Sequence, residues 1–356
     1  MNILKTTLLL VVSIVLLTQC KTDPHAESTN TGYAKISGKT MGTTYSVTYQ
    51  DPNQVNYKPQ IDSILVAINQ EVSTYIDNSD ISLFNLLGKS SKKYAFQASE
   101  KPHFRANLIA SQSIFEQTNG YFDPTVMPLV NYWGFGYTEK RTINKADETK
   151  IAEILNSVGY DKVEININDD KAEIIKSNSE TELDFSAIAK GYAVDVIGKF
   201  LVSKGIENLF VEIGGETFCK GKSMRGDLWA LGINTPSRDA KLTDIKQVVR
   251  LTDKGLATSG NYRNYHTAED GSIYAHTINP KTGFPEKSNL LSATVIADDC
   301  MTADAFATAF MVMGKNKAIE LAEKIPSIEI FLIYGDEDGK METFTSDGFL
   351  DFIEEK

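Results

Sequence analysis

The chain has 356 residues, of which 42% are hydrophobic and 23% are charged, and its formal net charge is −11. This length predicts one large or two modest domains, and the apolar content is sufficient for a buried core, which excludes a disordered chain. The acidic balance argues against nucleic acid or an anionic membrane surface as a partner, and an anionic substrate would need a local metal ion or lysines.

The first residues have the pattern of an export signal. Lys5 is the only charged side chain in residues 1–19, an apolar stretch covers residues 8–17, and the sequence Leu-Thr-Gln-Cys ends at Cys20. This stretch is too short for a transmembrane helix, and its end is similar to a bacterial lipobox, although Gln19 replaces the usual small residue. We predict a signal peptide over 1–19, lipidation of Cys20, a flexible tether over 20–32, and an exported lipoprotein anchored to the membrane and facing the periplasm.

Beyond the tether, the hydrophobic periodicity predicts a mixture of strands and helices. Strands are predicted at residues 45–49, 163–167, 172–176, 209–213, 228–233, 248–251 and 291–296. Helices are predicted around 61–72, at 107–117 and 149–158, from the block 184–195 to near Gly205, and at 302–314, followed by another late helix and a hairpin around 336–339. With no internal repeat and no clear interior linker, we predict one compact α+β unit over 33–356.

The unit contains two cysteines, Cys219 and Cys300. They could pair in an oxidising compartment, but one pair far apart in sequence is weak support for a disulfide. Two buried thiols are the interpretation that we favour.

The Ala-rich run 301–310 places Asp304 and Thr308 four residues apart. On a helix this spacing puts a carboxylate and a hydroxyl on one face, and such oxygen ligands suit a hard cation such as Mg²⁺. If Thr302 is the N-cap and Gly314 ends the helix, Asp304 lies in the first turn, where free N–H groups attract phosphate. The same pattern also fits a merely buried helix whose alanines allow close packing.

Two further segments carry candidate chemistry near helix and strand ends. Lys190 falls at the start of a predicted helix, where a cation opposes the helix dipole, so it either contacts an anion or is simply solvated. Gly214 and Gly215 follow a predicted strand and permit either a close approach to a ligand or a tight turn.

A predicted strand delivers His276 into a loop that contains Pro280, Gly283 and Pro285. Histidine is suited to proton transfer near neutral pH, although a structural role fits the same position. The chain has four histidines in all, which argues against a His-rich metal cluster. It has no Gly-x-Ser-x-Gly elbow, no Cys-x-x-Cys and no P-loop, so serine hydrolases, zinc sites and ordinary nucleotide kinases find no support.

Short motifs that follow one another in a fixed order are spread over nearly the whole folded part of the chain. They are Met41-Gly-Thr43, Ser73-Thr-Tyr75, Ser82-x-Phe84-Asn85, Phe122-Asp-Pro124, the block 184–195, Ser259-Gly260, the block 276–283 and the run 301–308. Together these motifs resemble those of the bacterial FAD:protein FMN transferases, also called ApbE-type flavin transferases. The resemblance implies an α+β fold and an enzyme that binds FAD and Mg²⁺, cleaves FAD, and joins FMN to a Thr or Ser of a partner redox protein with release of AMP.

The resemblance also implies roles for individual residues. The implied Mg²⁺ ligands are the side chains of Asp304 and Thr308 and the backbone oxygens of Ala187 and Ala307. The implied FAD contacts are Met41, Tyr75, Phe122, Asp123, Pro124, Asp184, Lys190 and Ile278. His276 aligns with a proposed proton acceptor.

Three functions follow as hypotheses. The first is the FMN transferase, the second is a Mg²⁺-dependent FAD pyrophosphatase in which water replaces the acceptor hydroxyl, and the third is a non-catalytic FAD-holding lipoprotein. The presence of Asp304, Thr308 and His276 argues against the third, and an assay with an acceptor separates the first two.

Overall fold

The structure is a computed structural model that describes residues 32–88, 91–138, 143, 145–237, 241, 243–261, 265–267, 269 and 273–354. The predicted signal peptide and Cys20 lie outside the described residues, as does the predicted tether apart from Gly32. No helix within the described ranges has the length and apolar character needed to cross a membrane.

The described residues form fifteen strands and eight α-helices. The strands are β1 Tyr33–Thr40, β2 Thr43–Gln50, β3 Lys93–Gln97, β4 Val163–Asn168, β5 Lys171–Lys176, β6 Leu209–Ile213, β7 Glu216–Lys220, β8 Trp229–Asn234, β9 Ile245–Leu251, β10 Lys254–Gly260, β11 Tyr265–Thr267, β12 Ile273–Ala275, β13 Leu290–Ala297, β14 Ile328–Gly335 and β15 Met341–Thr345. The helices are α1 Lys58–Val72, α2 Asp80–Asn85, α3 Pro102–Gln117, α4 Met127–Tyr132, α5 Glu148–Leu155, α6 Ala189–Ser203, α7 Cys300–Met313 and α8 Lys315–Ala322.

An antiparallel sheet of eight strands organises the fold, in the order β1-β2-β6-β7-β10-β13-β14-β15. Smaller sheets are formed by β3-β5-β4, by β8-β9 and by β11-β12. The main core contains buried side chains of α1, α3, α6 and α7 together with those of the large sheet. A second core joins the β8-β9 hairpin to β10, β13 and β14, and a third surrounds the buried Trp133.

The predicted α+β architecture is therefore confirmed. Every helix and strand that the sequence predicts is present, with shifts at the ends. The predicted helix at 149–158 ends at Leu155, because Ser157 and Val158 donate three-residue turn hydrogen bonds to Ile154 and Leu155. Cys219 and Cys300 are both buried free thiols, as expected.

Helices α6 and α7 touch at a glycine, and this contact fixes the position of α7. A Cβ atom on Gly191 would lie 2.4 Å from the carbonyl oxygen of Cys300. Across the sheet, a Cβ atom on Gly255 would lie 2.4 Å from the Cys300 nitrogen. The start of α7 therefore lies against two backbone segments that both require glycine.

We expect Gly191→Ala to destabilise the protein by about 1–3 kcal/mol or more, because the added methyl overlaps backbone atoms that have no room to move. Urea unfolding measures the change. Gly335→Ala is the matched control, because a Cβ atom there meets nothing within 4 Å and the backbone φ is ordinary. Equal stability of the two variants would contradict the close contact between α6 and α7.

Candidate active site

A cleft of about 510 Å³ opens beside α6 and α7. The predicted site residues that line it are Tyr75, Phe122, Asp123, Pro124, Asp184, Ala187, Lys190, His276, Ile278, Asp304 and Thr308. These residues come from five separate segments of the chain, so the fold brings together what the sequence holds far apart.

Two predicted site residues do not line the cleft. Met41 occupies the two-residue turn between β1 and β2 with a φ of 48°, and it packs against the main core. Ala307 is fully buried inside α7. The side chain of Ala307 therefore faces the core, and the predicted role of its backbone oxygen as a metal ligand stays a prediction.

Lys190 lies between two buried carboxylates at the inner end of the cleft. Its Nζ atom is 3.2 Å from Oε1 of Glu216 and 3.5 Å from Oδ1 of Asp304. The other carboxylate oxygen of Asp304 accepts a hydrogen bond of 3.0 Å from the Gly191 nitrogen. The two carboxylates offset the cost of a cation at the start of α6, which explains the unusual position of this lysine.

Burial and charge determine the protonation of this group. Burial alone would lower the pKa of Lys190, but the charges of Asp304 and Glu216 raise it above its ordinary value. Burial raises the pKa of Glu216 to about 7, while Lys190 lowers it and Asp304 raises it. Lys190 therefore remains a cation at physiological pH, held between Asp304 and Glu216.

The oxygen donors in the cleft fit a hard cation. Asp304 supplies a carboxylate, and the Thr308 hydroxyl lies one helical turn further, 3.2 Å from the hydroxyl oxygen of Ser259. Oε2 of Glu216 is buried and has no hydrogen-bond partner among the described residues. The described residues hold no group of three or more His, Cys, Asp or Glu side chains that could enclose a metal ion. This sparse set of oxygens suits Mg²⁺, which keeps several waters and binds substrate phosphates.

The start of α7 differs from the prediction. Its N-cap is Asp299, which accepts a hydrogen bond from the Thr302 nitrogen, so Thr302 is not the cap and Asp304 is the fifth helical residue. Asp195 accepts hydrogen bonds from the nitrogens of Cys300 and Met301. The free N–H groups of the first turn thus already have acidic partners, and the predicted phosphate site at this helix end is wrong.

The cleft wall opposite α7 is formed by residues 122–124 and 184. The Asp184 nitrogen donates a 2.7 Å hydrogen bond to the Pro124 oxygen, which ties the two segments together. Asp123 accepts hydrogen bonds from the nitrogen and the hydroxyl of Thr125, yet its burial raises its pKa to about 6. Burial likewise raises the pKa of Asp184. This wall holds two carboxyl groups that bind protons more tightly than exposed ones do.

His276 directly follows β12 at the edge of the cleft, as predicted, and its ring lies edge-on to Phe135 at 6.4 Å between centroids. The loop after it is held by several contacts. The Asn279 nitrogen donates to the Phe284 oxygen, and the Trp133 indole donates to the Gly283 oxygen, each at 2.8 Å. His276 is thus presented from a well-supported loop rather than from a free one.

Sequence reasoning missed three groups that contribute to the site. Glu216 directly follows Gly214 and Gly215, and an acidic residue at the end of a predicted tight turn was the available sequence signal. Ser259 bonds to Thr308, and Asp195 holds the start of α7. Neither contact has a short-range sequence signature, because each partner lies more than 40 residues away.

Comparisons with known proteins agree with this geometry. Residues 41–332 match the ApbE family. A FAD:protein FMN transferase of Haemophilus influenzae is 36% identical over 326 residues, which cover 90% of this chain and 92% of the relative. A FAD:protein FMN transferase of Escherichia coli K12 is 30% identical over 358 residues, which cover 99% of each chain. The solved structure of the flavin transferase ApbE from Vibrio cholerae superposes with a TM-score of 0.79 at 35% identity, covering 90% of this chain and 99% of the other.

The chain therefore belongs to the ApbE family. The resemblance that the motifs predict is confirmed, and so is the mixed sheet-and-helix fold, which the solved members of the family share.

Proposed function

We propose that the protein is a Mg²⁺-dependent FAD:protein FMN transferase, which cleaves FAD and attaches FMN to a Thr or Ser hydroxyl of an exported or membrane redox protein, with release of AMP. One observation carries the proposal: a single cleft contains the oxygen donors Asp304 and Thr308, the cation Lys190 and the proton-accepting side chain His276. The names of the family relatives support the substrate and the reaction type.

Each residue has a part in this reaction. Asp304 and Thr308 would hold Mg²⁺, which supplies charge neutralisation at the pyrophosphate oxygens. Lys190 is placed to bind the same anionic group. The acceptor oxygen attacks the FMN phosphorus, the bond from that phosphorus to the bridging oxygen breaks, and AMP leaves with that oxygen. His276 takes the proton of the attacking hydroxyl.

The neighbouring side chains orient the substrate. Tyr75 lines the cleft yet is 70% exposed, so it presents a flat face on which a flavin or adenine ring can stack. Phe122 is buried in the opposite wall and provides apolar surface. Asp123, Pro124, Asp184 and Ile278 also line the cleft as predicted FAD contacts, whereas Met41, the remaining predicted contact, does not line it.

FAD pyrophosphatase activity is the second candidate function. His276 is only partly buried, so water can reach the position that the acceptor hydroxyl would occupy. Hydrolysis and transfer share every step except the identity of the attacking oxygen. The third hypothesis, a non-catalytic FAD-holding lipoprotein, does not explain why His276, Lys190 and Asp304 line the same cleft.

The partition of products separates transfer from hydrolysis. The protein is incubated with FAD and Mg²⁺, with and without an exported redox domain that carries an exposed threonine, and AMP and free FMN are quantified by chromatography. For a transferase, the acceptor increases AMP release and AMP exceeds free FMN by the amount of flavin bound to protein. Equal amounts of AMP and free FMN in both reactions support the pyrophosphatase.

We also propose that the enzyme works outside the cytoplasm as a lipoprotein anchored through Cys20. We expect Cys20→Ser to move the protein from the membrane fraction to the soluble fraction without loss of catalysis, because the anchoring group is removed while every residue that lines the cleft is kept. The mass of the mature N-terminus is the sharper measurement, since an uncleaved apolar leader could retain the variant. An unmodified Cys20 in the wild-type protein would contradict the anchor.

A further inference from the structure

Four lysines lie in the His276 loop, directly after it, or on the neighbouring start of α8. Lys281 and Lys317 lie on Tyr121, with Nζ 4.7 and 4.9 Å from the ring centroid. Tyr121 itself lines the cleft, and its hydroxyl accepts a 2.7 Å hydrogen bond from Lys317. Two ammonium groups are thus fixed at the cleft rim on one aromatic ring.

The other two lysines extend this basic rim. Lys287 lies 5.7 Å above the ring of Tyr274, two residues before His276, and Lys315 lies 4.1 Å above the ring of Tyr334. The two segments adjoin, because a Cβ atom on Gly314 would lie 3.5 Å from Cβ of Ser288. We call Lys281, Lys287, Lys315 and Lys317 the basic rim.

The basic rim is not neutralised by the protein. Within the described residues none of its four ammonium groups forms an ion pair within 4.0 Å, whereas surface lysines such as Lys324 and Lys340 pair with carboxylates. Glu286 acts on Lys317 only at longer range, and its carboxylate accepts a hydrogen bond from Asn279. A concentrated positive charge therefore remains at the cleft on a chain whose net charge is −11.

From this charge distribution we propose that the basic rim docks the acceptor protein, and that it selects acceptors with acidic residues beside the target threonine. The inference rests on the proposed function. Lys281 lies within the His276 loop and Lys287 directly after it, so an acceptor hydroxyl that reaches His276 would bring its neighbouring residues towards these two lysines. Because the rest of the chain is acidic, an acidic partner is repelled elsewhere and attracted here, which favours one orientation.

Peptide binding tests the proposal independently of catalysis. The probes are three fluorescein-labelled peptides with one central threonine, flanked on each side by two Asp, two Asn or two Lys residues, and anisotropy is measured at low ionic strength. We expect the Asp peptide to bind best, and the double variant Lys281→Gln/Lys317→Gln to weaken that binding by about threefold or more, with the difference shrinking as salt is added. The matched control is Lys324→Gln/Lys340→Gln, which removes the same charge from paired surface lysines.

Four results would overturn the docking proposal. The first is equal binding of the three peptides, and the second is equal loss in the test and control variants. The third is a rise in the KM for FAD in the test variant that matches the loss of peptide binding, because the lysines would then serve FAD. The fourth comes from measuring binding to vesicles with anionic headgroups. If the test variant loses more vesicle binding than peptide binding, the rim binds a membrane instead. Absence of covalent flavin with every acceptor, with the peptide preference retained, would refute the transferase function and leave the rim intact.

Discussion

Asp304→Ala is expected to abolish the Mg²⁺-dependent turnover of FAD while the protein stays folded. Asp304 is the carboxylate that the cleft offers beside Thr308. Without it, the proposed cation that would neutralise the leaving group is no longer held, which should cost at least about 10²-fold in rate. Lys190 keeps its other partner, Glu216, so the added cost in stability is about 1–3 kcal/mol for the unpaired Gly191 nitrogen. Initial rates over a Mg²⁺ titration, with thermal unfolding in parallel, measure both effects.

Two controls make this result specific. Asp304→Asn keeps an acceptor for Gly191 and removes only the charge, so it should lose activity with less loss of stability. Asp298→Ala removes an exposed aspartate whose partner is Lys254, and it should leave both quantities unchanged. Unchanged turnover and unchanged Mg²⁺ dependence in Asp304→Ala would refute the metal assignment.

His276→Ala is expected to retain the binding of FAD and Mg²⁺ but to lower FMN transfer by roughly 10²- to 10⁴-fold. The proposed Mg²⁺ ligands Asp304 and Thr308 lie on α7 and not on the His276 loop. Calorimetric titration of FAD measures binding, and single-turnover formation of covalent flavin measures transfer.

A substitution of Phe135, whose ring contacts that of His276, provides the control for His276→Ala. Phe135→Leu removes the edge-on ring but no proton acceptor, so its effect on transfer should be much smaller. If His276→Ala transfers FMN at the wild-type rate, another group accepts the proton. If it loses FAD binding in proportion to activity, the histidine is a binding residue.

Local spacing allowed part of this site to be predicted, and the family resemblance supplied the other residues, such as Tyr75, Phe122 and Ala187. The four-residue interval between Asp304 and Thr308 placed both on the cleft side of one helix, and the cation at the start of α6 indicated an anionic neighbour. Repetitive apolar spacing likewise predicted helices α1 and α3, although α3 begins earlier, with Pro102 as its first residue.

Other features depend on contacts that no local pattern encodes. Strand β10 has the sequence Lys-Gly-Leu-Ala-Thr-Ser-Gly, whose glycines and small polar residues resemble a loop, yet it lies in the middle of the sheet where neighbours on both sides pair with it. Thr302 was the predicted cap of α7, but Asp299 caps the helix, and Asp195, more than 100 residues away, supports this earlier start. Long-range packing decided both cases.

The intact mass of an acceptor tests the central claim most directly. An exported redox domain is incubated with the enzyme, FAD and Mg²⁺, and its mass is measured together with the AMP released. We predict a gain equal to one FMN less one water, an equal amount of AMP, and no gain after the target threonine is replaced by valine. AMP and free FMN released at the same rate with and without acceptor, and no covalent flavin on any acceptor, would contradict FMN transfer and leave hydrolysis of FAD as the activity.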